Sequence, residues 1–513
     1  MLGLNTPCSY MAGMKMNERQ RGDRRALFFV MAAAALLAGC RDQQEGAIAV
    51  AVIGDTPRLA DPAAGRLDRS DEVLLGNVAQ GLVRFDAQGQ IEPGLAERWN
   101  VSNDGLSYIF RLASGEWPDG RRITAQGVAR VLRRQLTARS DNALKDALGA
   151  VDEIVAMTDR VIEIRLRAPR PQLLQLLAQP EMAIVSEGQG TGPFAIEERV
   201  TADRPWLLEH ALPALGGEER PVERVELAGV PAETAIRKFI SGETGLVLGG
   251  TFADLPIVLG EELPRNALRF DPVAGLFGLI PAREGGPLAD PEVRQLLDSA
   301  LDRDALVAAL GVPELAPRAS ILQPDLEGLA SPPASPEWSA TPLPERRPAL
   351  LAAARELFPA DAEEPVVIRV ALPEGPGSEL VLERLRADWG PLGLQVEAAE
   401  QGQPADLRLV DAVAPSSSPA WFLRRFRCEV APVCVEEADT LIESARETLV
   451  PAERATQFAD AERLLREAVV FMPIAAPVRW SLVGRGIDGF AENRFARHPL
   501  TGLRGRAGLF RRN

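Results

Sequence analysis

The chain of 513 residues carries a formal net charge of -15, with 46% hydrophobic and 25% charged residues. That apolar share excludes a disordered polymer and suffices for two or more lobes with ordinary cores. The acidic balance excludes a phosphate-binding surface, so nucleic acid is not expected as a partner.

The chain begins with "MLGLNTPCSYMAG", which reads as a misassigned start with Met14 or Met16 in its place. A basic leader, "MKMNERQRGDRR", then precedes the apolar run "ALFFVMAAAALLAG" and Cys40. This is the three-part form of a secretory signal over residues 1–39. The run is shorter than the roughly twenty residues that a membrane span needs. A buried N-terminal helix with a chance cysteine is the other reading.

After a tether over 40–46, "AIAVAVIGDTP" is rich in strand formers, and Val78, Leu82 and Val83 suit a buried helix end. "DAQGQ" and "NDG" punctuate two turns. Pro118-Asp119-Gly120 forms a reverse turn after Trp117, and Thr124 is placed to cap a helix whose apolar face is Val128, Val131, Leu132 and Leu136. "VIEIRLR" alternates as a half-buried strand. "ADPEVRQLLDSALDRDALVAALG" predicts two helices, with Asp290 capping, Pro291 in the first turn and Gly311 closing the second. Residues 331–348 are Pro-rich and read as a surface loop. The helix "PALLAAARELF", strand "PVVIRVAL", helix "SELVLERLRADWG" and strand "LQVEA" follow as a mixed α/β block, with two amphipathic helices after them. Downstream of Cys40 the cysteines are Cys428 and Cys434. Export favours a short-loop disulfide between them, the alternative being two buried thiols.

Catalytic signatures are missing downstream of the leader: no G-x-S-x-G, H-E-x-x-H, C-x-x-C or Walker lysine is present, and Lys145 and Lys238 are the only lysines there. His210 and His498 stand far apart in sequence, so no metal site, cofactor or enzymatic activity is expected. Gly188, Gly190 and Gly192 in "EGQGTGPF" precede a strand, which does not suit a nucleotide loop.

The order of motifs resembles a known family. "LAGC" is similar to a bacterial lipobox, and "GLVRFDAQGQIEPGLAERWNVSNDGLSYIFRL", "WPDGRRITAQGV", "TGPFAI", "DPEVRQLLDSALDRDAL" and "DWGPLGLQV" follow in the order of the family 5 extracellular solute-binding proteins. These are the oligopeptide, dipeptide and nickel-type receptors of bacterial ABC importers. The resemblance implies a two-lobed α/β fold, type II and cluster C-like, with ligand enclosed between lobes that close by a hinge. It implies lobe I at 47–78, 186–270 and 475–513, an inserted subdomain at 79–185 and lobe II at 271–474. Trp117 is then a core anchor. Lipidation of Cys40 would tether the protein to a membrane in the periplasm or cell envelope, where it passes a peptide-like or other organic solute to a permease. A monomer is expected.

The family segment that touches ligand backbone corresponds to "GDTPRLADP", which nominates Thr56, Pro57 and Arg58. In peptide-binding members an Asp meets the ligand's ammonium, and that position falls here on Pro415 in "VDAVAPSSSPAWFL". Asp411 is the nearest substitute. Ser416, Ser417, Ser418 and Trp421 would supply a lining of hydroxyls and an aromatic wall, or else a solvated loop and a core residue. Arg424 and Arg425 read either as a charged helix face or as partners for a ligand carboxylate. The asparagine usual before the long helix of the second lobe is absent too. A receptor-like envelope protein without transport is the alternative function.

Overall fold

The computed structural model describes residues 46–198, 205–211, 222–359, 365–399 and 403–505. The signal segment 1–39 and Cys40 lie outside the described residues. Among the described residues no helix is long and apolar enough to cross a membrane.

The first lobe is built on a seven-stranded sheet. Its strand Ala47–Ile53 runs parallel to both neighbours, Val222–Val230 and Leu246–Thr251. Every residue of "AIAVAVI" is apolar because both faces are covered: Val50 and Val52 enter one core while Ala51 and Ile53 enter another. The outer strands are Arg479–Val483 and Leu268–Phe270 on one side and Trp206–Ala211 and Ala195–Glu198 on the other.

The second lobe holds a five-stranded sheet centred on Leu407–Val413 and Gly275–Pro281. Gly275–Pro281 is buried at all seven positions. Phe277 and Leu279 pack in the same core as Trp480 and Leu482 of the first sheet, whereas Leu276 and Ile280 meet Phe422, Phe426 and Phe471. One core therefore runs beneath both lobes. The chain crosses between the sheets at 271–274 and returns at 476–478. There the Asp271 N–H donates to the Arg479 carbonyl at 3.0 Å.

A four-stranded antiparallel sheet, Ala96–Val101, Ser107–Leu112, Val161–Leu166 and Val151–Thr158, has its own core under the helix Ala125–Leu136. Trp117 belongs to that core and is 8% exposed. Its carbonyl accepts from the Gly120 N–H at 2.8 Å, and Gly120 takes φ +83°, a conformation that favours glycine. Thr124 Oγ1 accepts from the Gly127 N–H at 3.2 Å, capping the helix. The aromatic ring, turn and cap thus form one corner.

Asp290 caps Pro291–Ala300 through the Glu292 N–H, Asp302 caps Arg303–Leu310 through the Ala305 N–H, and Gly311 ends the latter in the left-handed region. The Pro-rich loop expected over 331–348 is shorter than the sequence suggested. A helix, Leu343–Leu357, begins inside it. Pro344 fits the first turn, where no intrahelical donor is needed, and Pro348 forfeits the one bond its N–H would have made. Leu82 and Val83 are buried as expected, but they lie beyond the helix Arg69–Val78, and Val83 opens a strand. Gly190 and Gly192 press against the backbone of 77–79, where a Cβ would not fit, so close packing explains the glycines.

Trp117→Ala should cost about 3 kcal/mol of stability, since it empties a core position. Urea unfolding should show this loss while ligand affinity stays unchanged, because Trp117 lies outside the cleft described next.

Candidate ligand cleft between the lobes

A cavity of about 310 Å³ lies between the lobes, and both lobes and the inserted subdomain contribute walls. The helix Arg69–Val78 presents Arg69, Glu72, Val73 and Gly76 to it, the i, i+3, i+4, i+7 face of one helix. Leu248–Gly250 and Trp480 come from adjacent first-lobe strands. Trp480 donates its indole N–H to the Thr251 carbonyl at 2.8 Å and lies flat enough on Gly250 that a Cβ there would overlap the ring. From the second lobe come Asp411–Val413, Pro415, Trp421 and Arg425.

Charge dominates this lining, with six arginines and four carboxylates among the wall residues. Each carboxylate already has a basic partner. Asp411 receives Arg479 Nη1 at 2.8 and 3.0 Å, with both side chains near 12% exposure. Asp271 meets His498 Nε2 at 3.1 Å. Glu72 and Glu181 both pair with Arg497, whose Nε also donates to Gln179 at 2.9 Å. Burial works against the Arg497 charge, yet the two glutamates outweigh it and raise its pKa. Burial pushes the Glu181 carboxyl up despite that arginine.

Three arginines differ. Among the described residues Arg66, Arg69 and Arg425 form no ion pair with a carboxylate. Arg69 donates to the Gly249 carbonyl at 2.6 Å, and burial together with Arg479 lowers it to about 10. Arg425 lies over the Trp421 ring at 4.4 Å, and crowding by its surroundings together with Arg66 and Arg408 lowers it to about 10. Both remain charged at neutral pH.

The sequence-nominated residues separate into three groups. Asp411 and Trp421 line the cavity, Asp411 as the neutralised partner of Arg479. Ser416 and Ser417 are buried in a joint between the second lobe and the inserted subdomain. The Ser417 N–H donates to Gln175 Oε1 at 2.9 Å, and Gln179 donates to the Pro415 carbonyl at 2.8 Å. Ser416 and Ser418, with Trp421 and Arg425, also line a smaller chamber of about 220 Å³. Thr56, Pro57 and Arg58 lie off the cavity wall. The Pro57 carbonyl accepts from the Trp206 indole at 2.9 Å, and Arg58 is drawn outward to Asp68 and the buried Asp71, at 3.2 and 3.1 Å. Arg424 is buried against Asp146, at 2.9 Å from Nε, and Glu443. Cys428 and Cys434 are bridged with their Cα atoms 5.0 Å apart, away from both chambers. His210 pairs with Glu223 at 3.0 Å, and the described residues hold no cluster of metal-ligating type.

Residues 90–421 match the family described as bacterial extracellular solute-binding proteins, family 5 Middle. The chain belongs to this family. A dipeptide-binding protein of Pseudomonas aeruginosa is 22% identical over 87% of the chain and 93% of its own length. The probable deoxycholate-binding periplasmic protein YgiS of Escherichia coli is 29% identical over a shorter stretch, 25% of the chain and 27% of that relative. The murein tripeptide binding protein MppA of Escherichia coli shares the fold at a TM-score of 0.76, with 17% identity, over 90% of the chain and 98% of its own. The fold is thus the two-lobed periplasmic-binding-protein architecture.

Burial tends to raise the Asp146 carboxyl, but Arg424 outweighs it and holds the carboxyl below its usual range. The bridge is therefore complete above the ordinary carboxylate pKa and is lost only as pH falls through the lowered one. The paired change Gln175→Ala with Arg424→Met should loosen the joint at any pH. Small-angle scattering of the free protein should show a larger radius of gyration with unchanged far-UV circular dichroism. An unchanged radius would mean that other contacts hold the lobes together.

Proposed function

We propose that this chain is the substrate-binding lipoprotein of an ABC importer. It captures a small peptide-like or other organic solute between its lobes and delivers it to a membrane permease. The observation that carries this reading is a cavity walled jointly by two lobes, which are joined by short crossings and held by a few separable polar contacts. A site of that form is completed only when the lobes approach, so closure reports occupancy to a membrane partner. Membership of the solute-binding family and the dipeptide-binding relative, which spans nearly the same length, support the same reading.

Cys40 behind its apolar run supports a lipid anchor at the cell envelope, and Trp421 with Asp411 supports ligand contact in the cleft. One acyl-bearing end on an acidic body suits a tether better than surface adsorption.

The test is native mass spectrometry of residues 40–513 carrying Cys40→Ser, which remains soluble. The expected spectrum is a monomer with a co-purified small molecule that leaves on denaturation. A ligand at a hundredfold excess over its Kd adds about 2.7 kcal/mol to stability, well within reach of a thermal-shift screen. A protein that is empty and is stabilised by no member of a broad solute library would overturn the receptor reading.

A further inference from the structure

The nature of the solute can be narrowed from the charges that the cleft leaves unpaired, an inference that rests on the cleft being the solute site. The structure assigns to it an organic anion: a solute whose carboxylate is received by Arg66 and Arg425, with Arg69 behind them and no protonated amine at the Pro415 end.

A cationic group entering the cavity meets carboxylates that already have basic partners. Asp411 is engaged by Arg479 and Asp271 by His498, while Glu72 and Glu181 share Arg497. The second Glu181 oxygen has no partner among the described residues, but burial favours the neutral form of that carboxyl, so an ammonium would have to compete with these basic groups. An enclosed ammonium without a free carboxylate is strongly disfavoured. The position that would supply one holds Pro415, whose carbonyl is already taken by Gln179.

An anionic group meets arginines that, among the described residues, have no carboxylate partner. Arg66 belongs to the first lobe and Arg425 to the second, and both line the cavity; desolvation and, after it, the like charge of Arg66 lower Arg425. Bringing the lobes together therefore sets like charges against each other across the cavity. A carboxylate between them turns that repulsion into two attractions, and the planar fork of a guanidinium suits both of its oxygens. The Arg425 guanidinium carbon lies over the Trp421 ring, 4.4 Å from its centroid, a cation–π contact that holds the cation at this wall. Around these charges Trp480, Phe85 and Phe495 offer apolar surface for the body of the solute.

The smaller chamber extends the same chemistry. It shares Ala143, Trp421 and Arg425 with the main cavity. Among the described residues its Arg170 donates only to the Pro169 and Arg446 carbonyls, at 2.9 and 2.8 Å, and burial with Arg446, Arg454 and Arg424 lowers it to about 10. An elongated solute reaching from one chamber into the other passes over Arg425 and meets a second cationic wall, not an acidic one.

Matched probes separate charge from shape: the dipeptide Ala-Phe, its N-acetyl form (anion), its C-terminal amide (cation) and the doubly blocked form (neutral). Titration calorimetry at pH 7 and low salt would be run on the Cys40→Ser protein and on its Arg66→Gln and Arg425→Gln variants. The N-acetyl acid should bind at least about tenfold more tightly than the amide, and each variant should remove most of that preference while retaining cooperative thermal unfolding. Preference for the amide or the zwitterion would overturn the anion assignment and leave the receptor reading standing. So would a co-purified solute, seen by native mass spectrometry, that bears no acidic group. If no probe binds, no solute co-purifies and no member of a broad solute library stabilises the protein, the receptor reading falls and the anion assignment with it.

Discussion

The geometry of the cleft depends on the joint between the lobes, where the chain crosses at 271–274 and 476–478. These segments connect strands that are themselves fixed, since Gly275–Pro281 is buried throughout and Trp480 is locked to Thr251 and Gly250. Asp411 and Arg479 meet across this joint from opposite lobes. A largely buried pair of this kind adds little net stability, because desolvation offsets the attraction, while losing one partner costs several kcal/mol. Its consequence is directional. Asp411 is committed to Arg479, as Asp271 is to His498, while Glu72 and Glu181 share Arg497.

That commitment matters because the chain is acidic. With a formal charge of -15, the outer field repels anions at long range, and salt screens that field beyond about 8–10 Å. Inside the cleft the balance reverses, with Arg66, Arg69 and Arg425 standing without carboxylate partners among the described residues. The general acidity of the chain therefore does not predict the charge its ligand carries. Recognition operates at contact distance, where a few guanidiniums of fixed orientation outweigh a diffuse excess of surface carboxylates.

The sequence showed the local devices well. The turn after Trp117, the Thr124 cap, the paired helices closed by Gly311 and the all-apolar strand Ala47–Ile53 each follow from rules that act over a few residues, whereas the core place of Trp117 itself comes from the resemblance. The lobes and the inserted sheet were legible through the order of motifs. The cleft was legible only in part. Its walls bring together residues near 69, 249, 411, 425, 480 and 497, a juxtaposition that arises from topology and leaves no local trace. One signal was present. In "RSDEVLLGNV", Arg69, Glu72, Val73 and Gly76 share a helix face, and that face is the one turned to the cavity. Thr56, Pro57 and Arg58 lie off this cavity wall for a physical reason: the buried Asp71 takes both the backbone and the guanidinium of Arg58. The serines at 416–418 carried the hydrogen-bonding capacity expected of them, but Ser417 spends it on Gln175.

These observations give closure a cost that a suitable solute removes. The joint made by Gln175, Gln179 and Arg424 favours contact between the second lobe and the inserted subdomain, while the like charges of Arg66 and Arg425 on the cavity wall oppose closure. A two-state equilibrium moves from 1:99 to 99:1 only if the ligand favours one state by about 5.5 kcal/mol. Two charge-assisted contacts formed only when the lobes meet, together with relief of the repulsion between the guanidiniums, act in that direction, though solvent screens both exposed side chains. A neutral solute of the same shape would fill the cavity and leave the repulsion in place. Selectivity and closure would then arise from the same pair of side chains, and a solute that failed to bridge them would also fail to signal its presence to a membrane partner.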